Sequence, residues 1–203
     1  MTHEENRKVV TSYSKDFIVE SYGQNFDRNS LEKARKLEKW ADVTVVGPGL
    51  EVDSDALKDF LSDSGRLVID AECIEQSLDV SDAVFTPHKE EAKVISSRFG
   101  SLENFSIETD NTVLLTSKKD EIFHKEEKYV NDTGCPAMTV GGTGDVLTGI
   151  VASLWSQGLE RKESAYLSAY LNGKAGEKAE EKFGNGLKAS DLPEEVAKIL
   201  ESI

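Results

Sequence analysis

Residues 139–158 read TVGGTGDVLTGIVASLWSQG, a glycine-rich loop that leads directly into an apolar helical pattern. Five apolar side chains after the loop recur at the spacing of one helix face: Val146, Leu147, Ile150, Val151 and Leu154. Consecutive small residues leave backbone N–H groups bare, and the helix dipole adds partial positive charge to them. Residues 141–144 therefore predict an anion-binding loop, although no Gly-Lys-Ser/Thr follows to make it a Walker A loop.

Asp145 follows this loop at the start of the helix, and two interpretations of it stay open. A carboxylate in a first helical turn commonly interacts with the helix dipole and needs no further role. A carboxylate beside a phosphate-binding loop is also placed to accept the proton of a hydroxyl group that attacks phosphorus. The local sequence is compatible with both a helix-end role and a catalytic one.

Around this stretch, short apolar runs alternate with charged helical segments. The apolar runs predict strands at residues 17–19, 43–46, 67–69, 83–85 and 113–115, and residues 120–130 predict a hairpin. Strands that are continuously apolar are typical of a parallel sheet covered on both faces. The alternation predicts an α/β fold that binds ligands at the carboxyl ends of its strands. No linker interrupts the pattern, so residues 1–203 are expected to form a single domain.

Helical patterns fill the intervals between the predicted strands, at residues 31–40, 52–61, 90–99 and 162–183. Asn29 or Ser30 is expected to cap the first of these helices, and Gly100 to end the third. In the first helix the apolar stripe consists of Leu31, Ala34, Leu37 and Trp40.

The composition excludes several classes of protein. Of 203 residues, 38% are hydrophobic, and 38 acidic residues against 24 basic ones give a formal charge of −14. The apolar content supplies a core, while the acidic surface disfavours nucleic acid and anionic membrane as partners. The two cysteines form no CxxC pair and the N-terminus MTHEENRK is polar, which predicts a reduced, cytoplasmic protein without a signal peptide.

A second glycine turn, GPGL at residues 47–50, follows the predicted strand at 43–46. It resembles the start of a dinucleotide-binding fingerprint, but Val52 occupies the place of the third glycine. The turn by itself is compatible with a plain strand-to-helix connection and with a ligand-binding loop.

The residues at 131–158, NDTGCPAM followed by TVGGTGDVLTGIVASLWSQG, resemble the carbohydrate-kinase-like NAD(P)H-hydrate dehydratases of the ribokinase superfamily. The late segment AYLNGKAGEKAEEKFGNGLKASDL extends the resemblance, and VVGPGL, LVIDAE and TPHKEEAKVIS occur in the family's order. The resemblance covers residues from about 10 to 203. It implies a ribokinase-like three-layer α/β/α sandwich with a mostly parallel central sheet.

The resemblance also implies an activity, the repair of hydrated nicotinamide nucleotides. NADH or NADPH hydrated at C6 of the nicotinamide ring would be dehydrated with ADP or ATP, through phosphorylation of the C6 hydroxyl and elimination of phosphate. Asp145 matches the family's base, and Gly142, Thr143 and Gly144 match the anion hole that stabilises the transferring group. Mg²⁺ is the implied cofactor, with ADP or ATP as co-substrate.

Other residues match the family's substrate and metal positions. His88 matches a histidine that contacts the hydrated dinucleotide, and Gly47 and Gly49 match a turn beside the substrate. Glu91 matches a superfamily glutamate that helps to place magnesium and phosphate, although a solvated helix acid is an equal reading of it. Asp70 in IDAE is an acid at a strand end, which is often a cap, and is not assigned to the site.

The chain departs from the family pattern at TSKKD, residues 116–120. The family commonly has a Lys-Gly pair here that contacts nucleotide phosphate, and Thr116 and Ser117 stand in those two places. Lys118 and Lys119 are expected to supply the charge instead. With Asp120, these residues are expected to bind the nucleotide.

A second departure concerns the front of the domain, because family members usually carry an additional N-terminal region with a glycine-rich element. The domain is therefore expected to be N-terminally shortened, with a sheet edge or helix-packing face left open. A homo-oligomer or a second chain is expected to cover it. Two other functions stay open: a small-molecule kinase of the same superfamily, and a non-catalytic nucleotide-binding subunit.

Overall fold

The computed structural model describes residues 1–50 and 55–202. Its strands are β1 (Thr2–His3), β2 (Ser21–Tyr22), β3 (Thr44–Val46), β4 (Leu67–Ile69), β5 (Val84–Phe85), β6 (Thr112–Leu115), β7 (Asp120–His124) and β8 (Glu127–Asn131). Strands β1 and β2 form a short parallel pair. Strands β3 to β8 form one sheet in chain order, parallel from β3 to β6 and antiparallel through β7 and β8.

Helices alternate with these strands along most of the chain. Those in the described residues are α1 (Arg7–Tyr13), α2 (Arg28–Glu38), α3 (Asp55–Ser62), α4 (Cys73–Gln76), α5 (Lys89–Phe99), α6 (Leu102–Thr109), α7 (Thr143–Ser156), α8 (Arg161–Phe183) and α9 (Leu192–Glu201). None of these helices is long and apolar enough to span a lipid bilayer.

The two faces of the sheet bury different helices, because successive side chains of a strand point to opposite faces. In β4, Leu67 and Ile69 pack with α2, α3, α5 and α6, whereas Val68 packs with α7 and α8. A third cluster joins α7, α8 and α9. The result is a three-layer α/β/α sandwich with a mostly parallel sheet, which confirms the predicted fold class.

The strands predicted at 43–46, 67–69, 83–85 and 113–115 are present with small shifts at their ends, as is the hairpin of β7 and β8. The strand predicted at 17–19 is wrong. Its Phe17 and Ile18 are 54% and 75% exposed, and the backbone pairing begins only where the Thr2 N–H donates to the Glu20 carbonyl (3.0 Å). An apolar run without a neighbouring strand does not form a sheet.

The cap predicted for the first long helix is also wrong. Asp27, rather than Asn29 or Ser30, caps α2: its Oδ1 accepts the Ser30 N–H at 2.9 Å, and Ser30 itself lies in the first turn. The same hydrogen bonds lower the pKa of Asp27. Trp40 lies beyond the end of α2 and is exposed.

The remaining predicted helices are present as α3, α5 and α8, and Gly100 ends α5 as expected. The first part of the predicted helix at 52–61 lies outside the described residues, which place α3 from Asp55 onward.

One edge of the main sheet is open. Strand β3 pairs with β4, and no strand of the described residues pairs with its other side. Ile18, Trp40 and Val45 are exposed apolar side chains near this edge, where all three line one cavity. This cavity has a volume of about 440 Å³. The structure thus has an open sheet edge, as the sequence analysis expected.

Candidate nucleotide and substrate site

The carboxyl ends of the parallel strands carry the candidate residues in one row. Gly47 follows β3, Asp70 follows β4, Thr86 follows β5 and Thr116 follows β6. Backbone hydrogen bonds continue the sheet into this row, from the Asp70 N–H to the Val46 carbonyl and from the Thr86 N–H to the Ile69 carbonyl, both at 3.0 Å. The row lies where α/β folds bind their ligands.

The start of α7 has the geometry of an anion-binding loop. Gly142 is its N-cap with φ of +92°, and the first closed turn runs from the Val146 N–H to the Gly142 carbonyl (3.1 Å). The N–H groups of the residues between them have no acceptor within the helix and point toward its N-terminal side. A Cβ on Gly142 would lie 3.1 Å from the Cβ of Ala189, so both the backbone angle and the space favour glycine.

Asp145 lies exposed in this first turn, with its carboxylate directed back over the loop. Its Oδ2 lies 4.0 Å from the position that a Cβ on Gly142 would occupy. The carboxylate and the bare N–H groups therefore face the same space. A phosphoryl group held by the N–H groups would lie beside a proton acceptor.

Thr143 contributes to this loop through its backbone rather than its side chain. Its hydroxyl lies 3.1 Å from both the Met138 and the Val140 carbonyl oxygens and donates its proton there. The hydroxyl thus ties the start of α7 to the preceding loop. The Thr143 N–H is left for an anion.

The anion loop opens into a cavity of about 720 Å³. Its lining includes residues 116–120, 132–136, 143–144 and 172–173. The volume suits a ligand of nucleotide size, since small-molecule pockets commonly occupy roughly 300–1,000 Å³. The structure therefore brings the residues predicted to bind the nucleotide together with Gly144 and Thr143 of the anion loop.

Within the turn at 116–120, the polar groups divide into two sets. Asp120 accepts the Ser117 N–H at 3.0 Å and the Asn131 side-chain amide at 3.2 Å, while burial raises the pKa of its carboxyl. Lys118 and Lys119 are exposed, and neither has an ion-pair partner within residues 1–50 and 55–202. Asp120 shapes the turn, and the two lysines supply its positive charge.

Thr116 joins this turn to the histidine loop. Its N–H donates to the Pro87 carbonyl at 2.9 Å, and Thr116 and His88 form an isolated parallel bridge. These backbone contacts hold the turn at 116–120 next to His88.

His88 and Glu91 hold the start of α5 reciprocally. Nδ1 of His88 accepts the Glu90 and Glu91 N–H groups at 3.2 Å, and the Glu91 carboxylate accepts the His88 N–H at 2.8 Å. This is a capping box with histidine as the N-cap. Because Nδ1 is an acceptor, the neutral ring carries its proton on Nε2 and presents it as a donor.

Glu91 also lies among other carboxylates. Burial raises the pKa of Glu91, the hydrogen bond and charge of His88 oppose this rise, and repulsion from Asp70 and Glu72 adds to it. Among the described residues, no group of three or more side chains suits a metal ion by itself. The oxygen donors nevertheless fit Mg²⁺, which proteins usually hold with one or two carboxylates plus phosphate oxygens and water.

The glycine turn at 47–50 lies at the far end of the row. Gly47 has φ of +127°, and a Cβ there would lie 1.8 Å from the Asp70 carbonyl oxygen. Gly49 has φ of +66°, and no atom of the described residues beyond its chain neighbours would contact a Cβ there. Neither lines the nucleotide cavity. Since β3 and β6 are three strand spacings apart, the turn lies about 14 Å from the end of β6.

Three buried polar residues lie beneath the site: Asp70, which the sequence analysis left out of the site, and Thr86 and Thr148, which it missed. Asp70, Thr86 and Thr148 come from the end of β4, the end of β5 and the middle of α7, and their side chains meet. A signal was present in the sequence, because Thr148 interrupts the apolar stripe of α7. A polar residue at a core position usually has a specific partner.

Comparison with known proteins decides the family. A sequence model described as NAD(P)H-hydrate dehydratase matches residues 1–198. The chain belongs to the NAD(P)H-hydrate dehydratase family. This confirms the resemblance that residues 131–158 indicated.

Curated relatives agree with this family. The ADP-dependent (S)-NAD(P)H-hydrate dehydratase of Haloterrigena turkmenica is 41% identical, in a match that covers 93% of this chain and 76% of that protein. The bifunctional NAD(P)H-hydrate repair enzyme Nnr of Methanothermobacter thermautotrophicus is 33% identical, over 96% of this chain and 42% of that protein. The NAD(P)H-hydrate dehydratase domain seen here thus matches part of longer relatives.

Solved structures confirm the fold. An ADP/ATP-dependent NAD(P)H-hydrate dehydratase from Bacillus subtilis, co-crystallised with ATP/Mg²⁺ and soaked with CoA, superposes with a TM-score of 0.74 at 18% identity. That match covers 99% of this chain and 78% of the other. A ribokinase-like superfamily protein from Enterococcus faecalis gives 0.77 at 23% identity, over 99% and 76% of the two chains.

The two cysteines provide a test of the nucleotide cavity. Cys135 lines it and is partly exposed, whereas Cys73 is fully buried and burial raises the pKa of its thiol to about 12. We expect iodoacetamide to label Cys135 and to leave Cys73 unmodified in the folded protein, because only an accessible thiolate reacts. Nucleotide at ten times its Kd should slow labelling of Cys135 about tenfold, since only the free fraction reacts.

Mass spectrometry of the two cysteine peptides measures both rates, with Cys73 as the internal control for folding. Unchanged labelling of Cys135 at a nucleotide concentration that calorimetry shows to be saturating would place the nucleotide elsewhere.

Proposed function

We propose that this chain dehydrates hydrated NADH or NADPH at the expense of ADP or ATP. The observation that carries the proposal is the start of α7, where bare N–H groups and the Asp145 carboxylate face one space that opens into the nucleotide cavity. Family membership gives the chemistry for which this arrangement is used.

In this mechanism the terminal phosphate of the nucleotide lies against the N–H groups of residues 143–145. The C6 hydroxyl of the hydrated ring attacks phosphorus, Asp145 accepts its proton, and the bond from phosphorus to the remaining nucleotide breaks. The N–H groups stabilise the charge on the transferring group. Phosphate then leaves C6 with its bonding electrons, and loss of a proton from C5 restores the ring double bond.

In this mechanism His88 contacts the dinucleotide, and Glu91 lies on the side of the phosphates. The Nε2–H of His88 donates a hydrogen bond to the dinucleotide, while the Gly47 turn bounds the substrate on the side of β3. Glu91 would hold Mg²⁺ together with phosphate oxygens and water, with Asp70 and Glu72 nearby. The ion would neutralise charge on the phosphates when bound. The ion would also help to place the nucleotide.

The nucleotide itself occupies the 720 Å³ cavity, with Lys118 and Lys119 near its phosphates. ADP is the first choice, because the relative from Haloterrigena turkmenica is named ADP-dependent. ATP is the second, since the Bacillus subtilis protein is named ADP/ATP-dependent.

Incubation of the purified chain with hydrated NADH, Mg²⁺ and ADP or ATP tests the proposal, with absorbance of reduced nicotinamide as the readout. Recovery that requires the nucleotide supports a dehydratase. A stable phosphate ester without recovery would instead indicate a small-molecule kinase. Nucleotide binding without turnover of any hydroxyl substrate would indicate a binding subunit.

We also propose that a partner chain covers the open edge of β3. A second copy of this chain, or another chain, covers the edge and the exposed side chains of Trp40 and Val45. Light scattering of the purified chain should therefore give a mass above the 22.3 kDa of one copy. A mass equal to that of one copy would show that the chain does not form a homo-oligomer. The cytoplasmic location stays a prediction of the sequence.

A further inference from the structure

We propose that Asp70, Thr86 and Thr148 form a positioning network that fixes the first turn of α7 against the strand ends. The catalytic consequence rests on the proposed function, because the first turn carries Asp145 and the anion loop. None of the three residues matches a site position of the family resemblance described above. Their arrangement argues for the role.

The network joins three separate segments in a buried place. Asp70, Thr86 and Thr148 are 8%, 4% and 1% exposed. The Thr148 hydroxyl lies 3.0 Å from Oδ2 of Asp70 and 3.3 Å from the Thr86 hydroxyl. An unpaired polar group at this depth is costly, so the hydrogen bonds among these side chains constrain their geometry.

The one proton of the Thr148 hydroxyl has three possible acceptors: Oδ2 of Asp70 and the Gly144 carbonyl oxygen, both at 3.0 Å, and the Thr86 hydroxyl oxygen at 3.3 Å. The carboxylate is the strongest acceptor and takes the bond. Burial raises the pKa of Asp70, while hydrogen bonds from Thr86 and Thr148 oppose that rise. Asp70 thus anchors the Thr148 hydroxyl, and the Thr86 hydroxyl lies 3.3 Å from the Thr148 hydroxyl and 3.4 Å from the Ile69 carbonyl oxygen.

Asp70 also touches the substrate turn through its backbone. Its carbonyl oxygen fills the space in which a side chain on Gly47 would stand. On the other side, Thr148 lies one helical turn after Asp145 and contacts the carbonyl of Gly144. One residue thereby connects the turn assigned to the substrate with the helix that carries the base.

Apolar contacts alone leave α7 free to shift slightly along the sheet, because they are not directional. Hydrogen bonds at the first turn of α7 fix the position of the helix along its axis relative to the row of strand ends. A catalytic group that is misplaced by about 1 Å commonly costs on the order of 10²-fold in rate. The network therefore controls turnover more than nucleotide affinity, which depends on the whole cavity.

Thr148→Val tests this, because it removes the hydroxyl and keeps the shape of the side chain. We expect kcat to fall about tenfold or more, within the cost of misplacement, while the Kd of ADP changes less than about threefold. Hydrogen exchange of the amides of residues 146–149, the first that are hydrogen-bonded within α7, should become about tenfold faster as the turn loosens. Thr148→Ser restores the hydroxyl and should restore most of both values.

A matched control comes from α8. Ser168 is a fully buried hydroxyl for which the described residues offer no hydrogen-bond partner. Ser168→Ala should change neither kcat nor exchange at residues 146–149. The double variant Asp70→Asn/Thr148→Val should lose no more activity than the more damaging single variant, because both remove one connection.

The outcomes separate this proposal from the proposed function. If wild type turns over the hydrate and Thr148→Val matches wild type in kcat and exchange, the network has no positioning role. If wild type shows no turnover yet exchange still accelerates in Thr148→Val and recovers in Thr148→Ser, the network stands and the proposed function fails. If the losses of activity in the two single variants add fully in the double variant, Asp70 and Thr148 do not act in one network.

Discussion

Asp145→Asn should lower kcat for dehydration by about 10²–10⁴-fold, the usual contribution of a general base. Asparagine preserves the shape of the side chain and its place over the Gly142 loop, but it cannot accept a proton at neutral pH. The N–H groups of α7 stay in position. The Kd of ADP should therefore change less than about threefold, because nucleotide binding depends on the cavity and the anion loop.

Single-turnover measurements with hydrated NADH, alongside calorimetry of ADP binding, separate the two quantities. Asp59→Asn is the control, since Asp59 is exposed on α3 and its replacement removes the same charge far from the row of strand ends. Turnover of Asp145→Asn equal to that of wild type would restore the interpretation of Asp145 as a helix-end carboxylate. A large loss of ADP affinity would make it a binding residue instead.

Gly47→Ala should have the second largest effect, a loss of folding stability. The φ of +127° is strained for alanine, which costs about 1–3 kcal/mol. The new methyl group would also stand 1.8 Å from the Asp70 carbonyl oxygen. That oxygen belongs to the backbone and cannot rotate away, so overpacking adds about 1–3 kcal/mol.

Gly49→Ala provides the matched comparison in the same turn. Gly49 also has a positive φ, +66°, but in residues 1–50 and 55–202 no atom beyond its chain neighbours lies within 4 Å of its added methyl group. We expect it to cost only the backbone strain, roughly 1–2 kcal/mol. Urea denaturation measures the loss of folding free energy in each variant, provided that the slope of this free energy against urea concentration is unchanged. Equal midpoints for the two variants would contradict the contact between Gly47 and Asp70.

The sequence predicted those parts of the fold in which local pattern and tertiary packing agree. Strands β4 and β6 are apolar throughout because both faces of the sheet are covered, and α7 is apolar along one stripe. Helix α6 was missed: its eight residues are too few to be stable alone, and packing of Phe105 against Phe85 and Phe99 holds it in place. The false strand at 17–19 failed for the opposite reason, since a strand needs a partner.

The site divides in the same manner. The glycine loop and Asp145 are contiguous in sequence, so helix-terminus physics predicts their geometry. The N-cap role of His88 depends on a capping box whose hydrogen bonds are visible only in the structure. Asp70, Thr86 and Thr148 are far apart in sequence, and only the order of the strands brings them together.

Strand β3 is both the open edge of the sheet and only three residues long. Each copy of the chain also carries a formal charge of −14, so two copies repel each other before their edges meet. Salt shortens the reach of that repulsion, from about 10 Å at 0.1 M to about 3 Å at 1 M, while it leaves the apolar contacts around Trp40 and Val45 intact. The proposed self-association at this edge should therefore depend on ionic strength as much as on protein concentration.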